Sequence, residues 1–199
     1  MKSRRIKTNG IILFGVVLST GFLFRLPFLY PESVFSDDIL DFIGLLVTLF
    51  GTLIRMSARG HKKVQSPDGR CLVTTGPYSI VRHPMYWGTF LISGGFILIL
   101  WPWWALFIWA CLFYLRFKSV IIKEENHLQE RFGDAYESYA EMIPAIFPKW
   151  LDFRKKAWNQ IFPIQEIWKT DEKRGLVLWP LLAVFLEIFQ EYMTLRGIL

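Results

Sequence analysis

Cysteine is nearly absent from this chain of 199 residues. Cys71 and Cys111 stand alone, with no CxxC pair and no Cys/His spacing, which excludes a disulfide framework and a zinc site as organising devices. A GxGxxG dinucleotide fingerprint is also missing. No small-residue cleavage site follows the first apolar run, where the sequence reads LFRLPFLYPES, so a removable signal peptide is disfavoured and the run is expected to stay. Charge is missing altogether from residues 84 to 115, PMYWGTFLISGGFILILWPWWALFIWACLFYL, a stretch too long for one membrane crossing.

What the chain has instead is apolar and aromatic surface. Its 9 Trp and 18 Phe exceed what a soluble domain of this length carries, which points to a membrane. The net charge of +6 gathers at the ends of apolar segments, in MKSRRIK, in RMSARGHKK (55–63) and in FRKKAW (153–158). That distribution suits anionic lipid headgroups better than nucleic acid.

These patterns predict an all-α integral membrane protein with four to five transmembrane helices. Residues 10–30 form the first span, with Arg25 near enough to the end to snorkel, and residues 39–58 form the second after an acidic loop at 31–38. A polar loop over 60–82 follows, with SPDG as its turn. The uncharged run then folds into a short helical hairpin broken at WPWW (101–104), where Pro102 cannot continue a helix and the tryptophans suit an interfacial anchor. Gly94 and Gly95 can admit a neighbouring helix closely.

Beyond Arg116 the hairpin's second arm continues as a water-facing helix to Gly133, and Pro144 and Pro148 break what comes after. In the last segment Glu187, Gln190, Glu191 and Thr194 share one stripe, so 176–199 is either a fifth span or a helix lying in the interface, the span being preferred for its apolar first half. The expected organisation is two N-terminal helices in 1–59, a core in 60–148 and an extension in 149–199. The basic ends place the N-terminus, the 55–82 loop and the segment after 116 together on the cytoplasmic side. The oligomeric state has no signature in the sequence.

Two polar segments therefore meet on one face. In GPYSIVRHPMYWG (76–88), Pro84 suits the first turn of a helix, whose free N–H groups can seat a carboxylate or phosphate with Arg82 adding charge. The alternative is that RHP only anchors the chain at the lipid boundary. In KEENHLQERFGDAYESY (123–139), Glu124 and Glu125 form a carboxylate pair that needs a partner or water near a membrane.

GRCLVTTGPYSIVRHPMYWG followed by EExxLxxxFGxxYxxY and EMIPAIFP resembles the isoprenylcysteine carboxyl methyltransferase family and its phospholipid methyltransferase relatives over residues 60–148. RHPxY alone is shared with NADPH-dependent membrane sterol reductases, which stay as a rival, and a non-enzymatic scaffold is a third reading. The resemblance implies a cytosol-facing pocket for S-adenosylmethionine and an acceptor entering from the bilayer, small or lipid-like, either an isoprenylcysteine-type carboxylate or a phospholipid amine. It carries cofactor contacts onto Arg70, Cys71, Leu72, Val73, Tyr78, His83, Pro84, Met85, Tyr86 and Glu124. His83 or Glu125 would be the base for an amine acceptor. Where prenylcysteine enzymes hold an arginine facing the acceptor this chain has Val120, with Arg116 or Lys123 as the candidate substitute.

Overall fold

The computed structural model describes residues 34–148, 162–168 and 174–195. The expected first span (10–30) and the basic FRKKAW segment lie outside the described residues. Among the described residues every regular element is helical: α1 (Val34–Gln65), α2 (Pro84–Leu100), α3 (Ala105–Phe132), α4 (Asp134–Met142), α5 (Ile164–Ile167) and α6 (Gly175–Leu195), with a 3₁₀ turn at Gly76–Ser79 before α2.

Helix α1 is longer than the expected second span at both ends. It begins inside the segment read as an acidic loop, at Val34, and continues through Gly60–Gln65, which was expected to open the polar loop. The reason lies in what the extra turns touch. Gly60 packs so closely on α5 that a Cβ there would collide with the Glu166 backbone, and His61 is buried at 6% exposure, so tertiary contacts hold polar residues in helix.

The faces of α1 differ from those of a helix in a soluble protein. Its buried side is mostly small, with Gly44, Thr48, Gly51, Thr52, Ser57 and Ala58 beside the large Ile54 and Met56, while Phe42 (59% exposed), Leu46 (48%), Leu49 and Leu53 point outward. A buried side rich in small residues and an apolar outer face is the arrangement of a helix packed in lipid, where close backbone approach supplements hydrophobic burial. The interface with α2, the most extensive among the described elements, shows why: a Cβ on Gly51 would lie 2.7 Å from Leu91 Cβ, and one on Gly88 2.7 Å from the Gly51 carbonyl. Gly95 is the other close-approach point, against Gly44 and Thr48, whereas Gly94 meets only the edge of Trp109 at 3.8 Å.

The hairpin forms where the uncharged run predicts it. Pro84 starts α2, the chain turns at Trp101–Trp104, and α3 ends at Gly133, whose φ of 52° lies in the left-handed region that favours glycine. At 17 residues α2 is about 25 Å long, short of a hydrocarbon core of about 30 Å, whereas the 28 residues of α3 reach about 42 Å. Helices α1 and α3 are both long and apolar enough to cross a membrane. Along the first half of α3, Phe107, Ile108, Leu112 and Leu115 are all exposed.

Helix α6 packs through Trp179, Leu182, Ala183 and Leu186 onto Ile92, Phe96, Ile99 and Leu100 of α2. Its opposite side presents Val177, Leu178, Leu181, Phe185 and Ile188, again apolar and exposed. The side chains of Glu187, Gln190, Glu191 and Thr194, the expected polar stripe, lie outside the described residues. Apolar outer faces on three helices exceed by far the patches a soluble monomer leaves bare, and the chain is an integral membrane protein.

Candidate active site

The two polar segments do meet. Residues 82–83 form a short strip against the chain leaving α4: the Arg82 amide donates to the Pro144 carbonyl (2.8 Å) and the His83 amide to the Ala145 carbonyl (2.9 Å). His83 is thereby fixed just before α2, and Pro84 behind it needs no hydrogen-bond partner. The amides of Tyr86 and Trp87 bond back to the His83 carbonyl, which tightens the first turn of α2.

Across from this strip, α3 presents its carboxylate pair. Glu125 accepts from Arg82 Nε (3.0 Å) and Nη2 (2.7 Å) and from His83 Nε2 (3.1 Å). A carboxylate in the pair with Arg82 can only accept, so Nε2 carries the proton, and the tautomer left open by the sequence follows from this partner. Glu124 accepts from the Tyr86 hydroxyl (3.0 Å) and stands 3.8 Å from His83 Nδ1, beyond a direct bond. Arg82 Nη1 donates to the Ala140 and Ile143 carbonyls as well. Its guanidinium thus ties the strip before α2 to α3 and to the end of α4, and Arg82 also lies on the wall of the cavity beside this cluster.

A cavity of about 240 Å³ opens beside this cluster. Its wall brings together Cys71, Leu72, Val73 and Tyr78 from the loop, His83 before α2 and Glu124 of α3. Of the other candidate residues, Arg70 is exposed between the wall residues Gly69 and Cys71, while Pro84, Met85, Tyr86 and Glu125 stand behind His83 and Glu124 rather than on the wall. Arg116 is exposed, with its guanidinium 5.8 Å from the centre of the Phe117 ring; it lies about 12 Å up α3 from Glu124, toward the hairpin tip. Val120, between them, is half-buried.

Sequence reasoning missed several wall residues. His127, Leu128 and Arg131 lie at i+3, i+4 and i+7 from Glu124, so the helical period alone places them on the same face. Lys62 comes from the last turn of α1, hidden by reading that stretch as loop, and Ser66 follows directly after the helix. Tyr136 and Tyr139, both buried, are the two tyrosines of FGxxYxxY on α4. Tyr139 donates to the Tyr78 carbonyl at 2.6 Å and so ties α4 to the loop.

The phenols on this wall are neutral donors. Burial, reinforced by the Glu124 carboxylate, pushes Tyr78 well above its ordinary value of 10, and burial with Glu125 nearby pushes Tyr136 up to about 12. Among the described residues the Tyr78 hydroxyl is buried without a hydrogen-bond partner, a state that costs stability unless something in the cavity accepts from it. A wall with an acceptor carboxylate, an imidazole and a neutral phenol donor matches a ligand bearing hydroxyl, amino and carbonyl or ring-nitrogen groups together. The residues present therefore fit the nucleoside and amino-acid ends of S-adenosylmethionine.

Fold and site define a class: a helical membrane protein with a polar cavity where a short hairpin meets its water-facing loop. Residues 40–135 match the phospholipid methyltransferase family. The chain is similar to protein-S-isoprenylcysteine O-methyltransferase of Schizosaccharomyces pombe, 35% identical over 119 residues that cover 58% of this chain and 50% of that protein. It is also similar to the nickel-cobalt-cadmium resistance protein NccN of Alcaligenes xylosoxydans xylosoxydans (37% over 86 residues, 43% and 40%) and to Delta(14)-sterol reductase LBR of Gallus gallus (25% over 161 residues, 66% and 24%). The chain spans half or less of the length of these relatives. No solved structure matches it.

Proposed function

We propose that this protein is a membrane-embedded methyltransferase that uses S-adenosylmethionine and methylates a lipid-like or small acceptor, of the isoprenylcysteine carboxylate or phospholipid amine type. The observation that carries the reading is the convergence of His83 and Glu124, about forty residues apart, on one cavity that also holds the unpartnered Tyr78 hydroxyl. The N-terminus and the cavity face the cytoplasm, in keeping with the basic residues near that end. Residues 60–148 form the catalytic core and α6 a further span.

The cofactor supplies an electrophilic methyl group on a sulfonium, and the chain's task is to bind, align and keep water out. Glu124 accepts from ribose hydroxyls or the amino group. Tyr78 donates to the ligand and offers its ring to the positive sulfur. Cys71, Leu72 and Val73 line the cavity together with Glu124, and Arg70 adjoins them in the chain, while Pro84, Met85 and Tyr86 set the positions of His83 and Glu124. For a carboxylate acceptor no base is needed, and Arg116, on the bilayer side of Glu124, attracts the anion. For an amine acceptor, His83 Nδ1 takes the proton, with the charge balanced by Glu125 at Nε2.

The similarity to a sterol reductase keeps NADPH as the alternative ligand. Calorimetry on detergent-purified protein with S-adenosylhomocysteine and NADPH separates the two: binding of the first alone is expected, and tight NADPH binding with no response to S-adenosylhomocysteine overturns the proposal. Incubating membranes that hold the protein with methyl-labelled cofactor then identifies the acceptor by the molecule that gains label.

A further inference from the structure

A side-chain relay outside the cavity joins the C-terminal extension to the loop that lines it. His61 near the end of α1 is buried, and both of its ring nitrogens are engaged: Nδ1 lies 2.6 Å from Glu166 Oε2, and Nε2 lies 2.9 Å from Thr75 Oγ1. The Glu166 carboxylate accepts, so Nδ1 carries a proton, and in the neutral ring Nε2 accepts from the Thr75 hydroxyl. Glu166 sits on α5, a four-residue helix held against α1 by the missing side chain of Gly60 and by Ile167, which is 2% exposed. Neither α5 nor Glu166 falls within the segment matched by the family.

The far end of the relay is the start of the 3₁₀ turn that carries Tyr78. Thr75 precedes Gly76, whose φ of 59° is a left-handed conformation, and a Cβ on Gly76 would lie 2.7 Å from the His61 ring. The imidazole is thus packed flush against the turn while bonded to the residue before it. From the other side, Tyr139 bonds the Tyr78 carbonyl. Tyr78 is held between α4 and the His61 relay, and Val73 and Cys71 lie just upstream on the same loop.

We propose that His61 and Glu166 are positioning residues for the donor-binding loop: the C-terminal extension, through Glu166–His61–Thr75, sets the place of Tyr78 and thereby the affinity for the methyl donor. This rests on the reading of the cavity as the donor site. None of the three residues lies on the cavity wall, so their effect on binding is exerted through the loop.

The experiment uses the full chain in detergent and two readouts, amide hydrogen exchange of peptides covering residues 66–80 and the Kd for S-adenosylhomocysteine. In Glu166→Ala the loop peptides are expected to exchange faster and the Kd to rise about tenfold. Glu166→Gln keeps an acceptor for Nδ1–H and is expected to restore both readouts to within about threefold of the parent. Thr75→Val cuts the relay at its outer end without disturbing α5, so it gives the answer even if the Glu166→Ala protein fails to fold. Unchanged loop exchange in Thr75→Val, or a Glu166→Gln variant as impaired as Glu166→Ala, overturns the proposal. If the parent protein binds no S-adenosylhomocysteine while loop exchange responds as expected, the donor assignment fails and the relay stands.

Discussion

Replacing Arg82 by Met tests whether the two polar segments are held together by charge. Arg82 gives Glu125 two contacts, at 3.0 and 2.7 Å, and bonds the Ala140 and Ile143 carbonyls; its side chain is 16% exposed and that of Glu125 23%. Breaking a buried pair by removing one partner costs about 3 to 5 kcal/mol, and partial exposure lowers this to about 2 to 3 kcal/mol. For a chain of this length that lowers Tm by roughly 4 to 12 °C. The loss is not all pair energy, because two carbonyls also lose their donor, so a cycle with Glu125→Gln and the double variant is needed to isolate the coupling. Thermal unfolding in detergent, followed by tryptophan fluorescence, should give a coupling of about 1 to 2 kcal/mol. A coupling under about 0.5 kcal/mol, with single variants that add, would refute the view that Arg82 and Glu125 latch the hairpin to the segment after α4.

Glu124→Gln and His83→Ala are each expected to weaken S-adenosylhomocysteine binding about tenfold while the protein stays extractable and monodisperse, as calorimetry and size exclusion would report; normal binding in both refutes the residue assignment. Gly95→Ala should lower stability by about 1 to 3 kcal/mol by driving a methyl group into Thr48 and the Gly44 carbonyl, whereas Gly94→Ala, with only Trp109 nearby, should leave thermal unfolding unchanged. The Tyr136 phenol, ordinarily at 10, is raised to about 12 in the fold. Its neutral form is therefore favoured by folding: the stabilisation is whole below pH 10 and is lost as pH rises toward 12, so Tyr136→Phe should flatten the fall in Tm over that window. Arg116→Gln should leave the donor Kd unchanged and raise KM for an anionic acceptor.

Much of the hairpin is legible in the sequence because its punctuation is local. Pro84, the WPWW turn and Gly133 each act within a residue or two of where they stand, and the structure starts or stops helices there. The ends of α1 are not legible in the same way. Gly60, His61 and Lys62 read as polar loop, yet they stay helical because α5 and the turn at Gly76 close over them, and those partners are distant in sequence. The cavity wall falls between these cases. Glu124 was recognisable by its motif, and His127 and Arg131 could have been reached by following the helical period from it.

The part of the site that sequence hides is also the part that distinguishes two kinds of constraint. Around His83 and Glu125, charge partners fix a geometry: the proton on Nε2, the direction of Nδ1 and the path of the chain after α4 all follow from one carboxylate and one guanidinium. In the membrane half close packing takes over, with Arg55 of α1 donating to the Met85 carbonyl and the Thr89 hydroxyl of α2 at its water-side end. There the α1 and α2 backbones are brought together by the absence of side chains at Gly51, Gly88 and Gly95, and large apolar residues face outward. Water-side precision thus depends on a few strong bonds, and bilayer-side precision on close packing. Helix α3 belongs to both regimes, with exposed Leu112 and Leu115 above and Glu124 and Glu125 two to three turns below. A ligand reaching the cavity along α3 would pass from apolar surface to fixed polar groups within about 14 Å, a gradient that suits an acceptor with an apolar body and a reactive polar end.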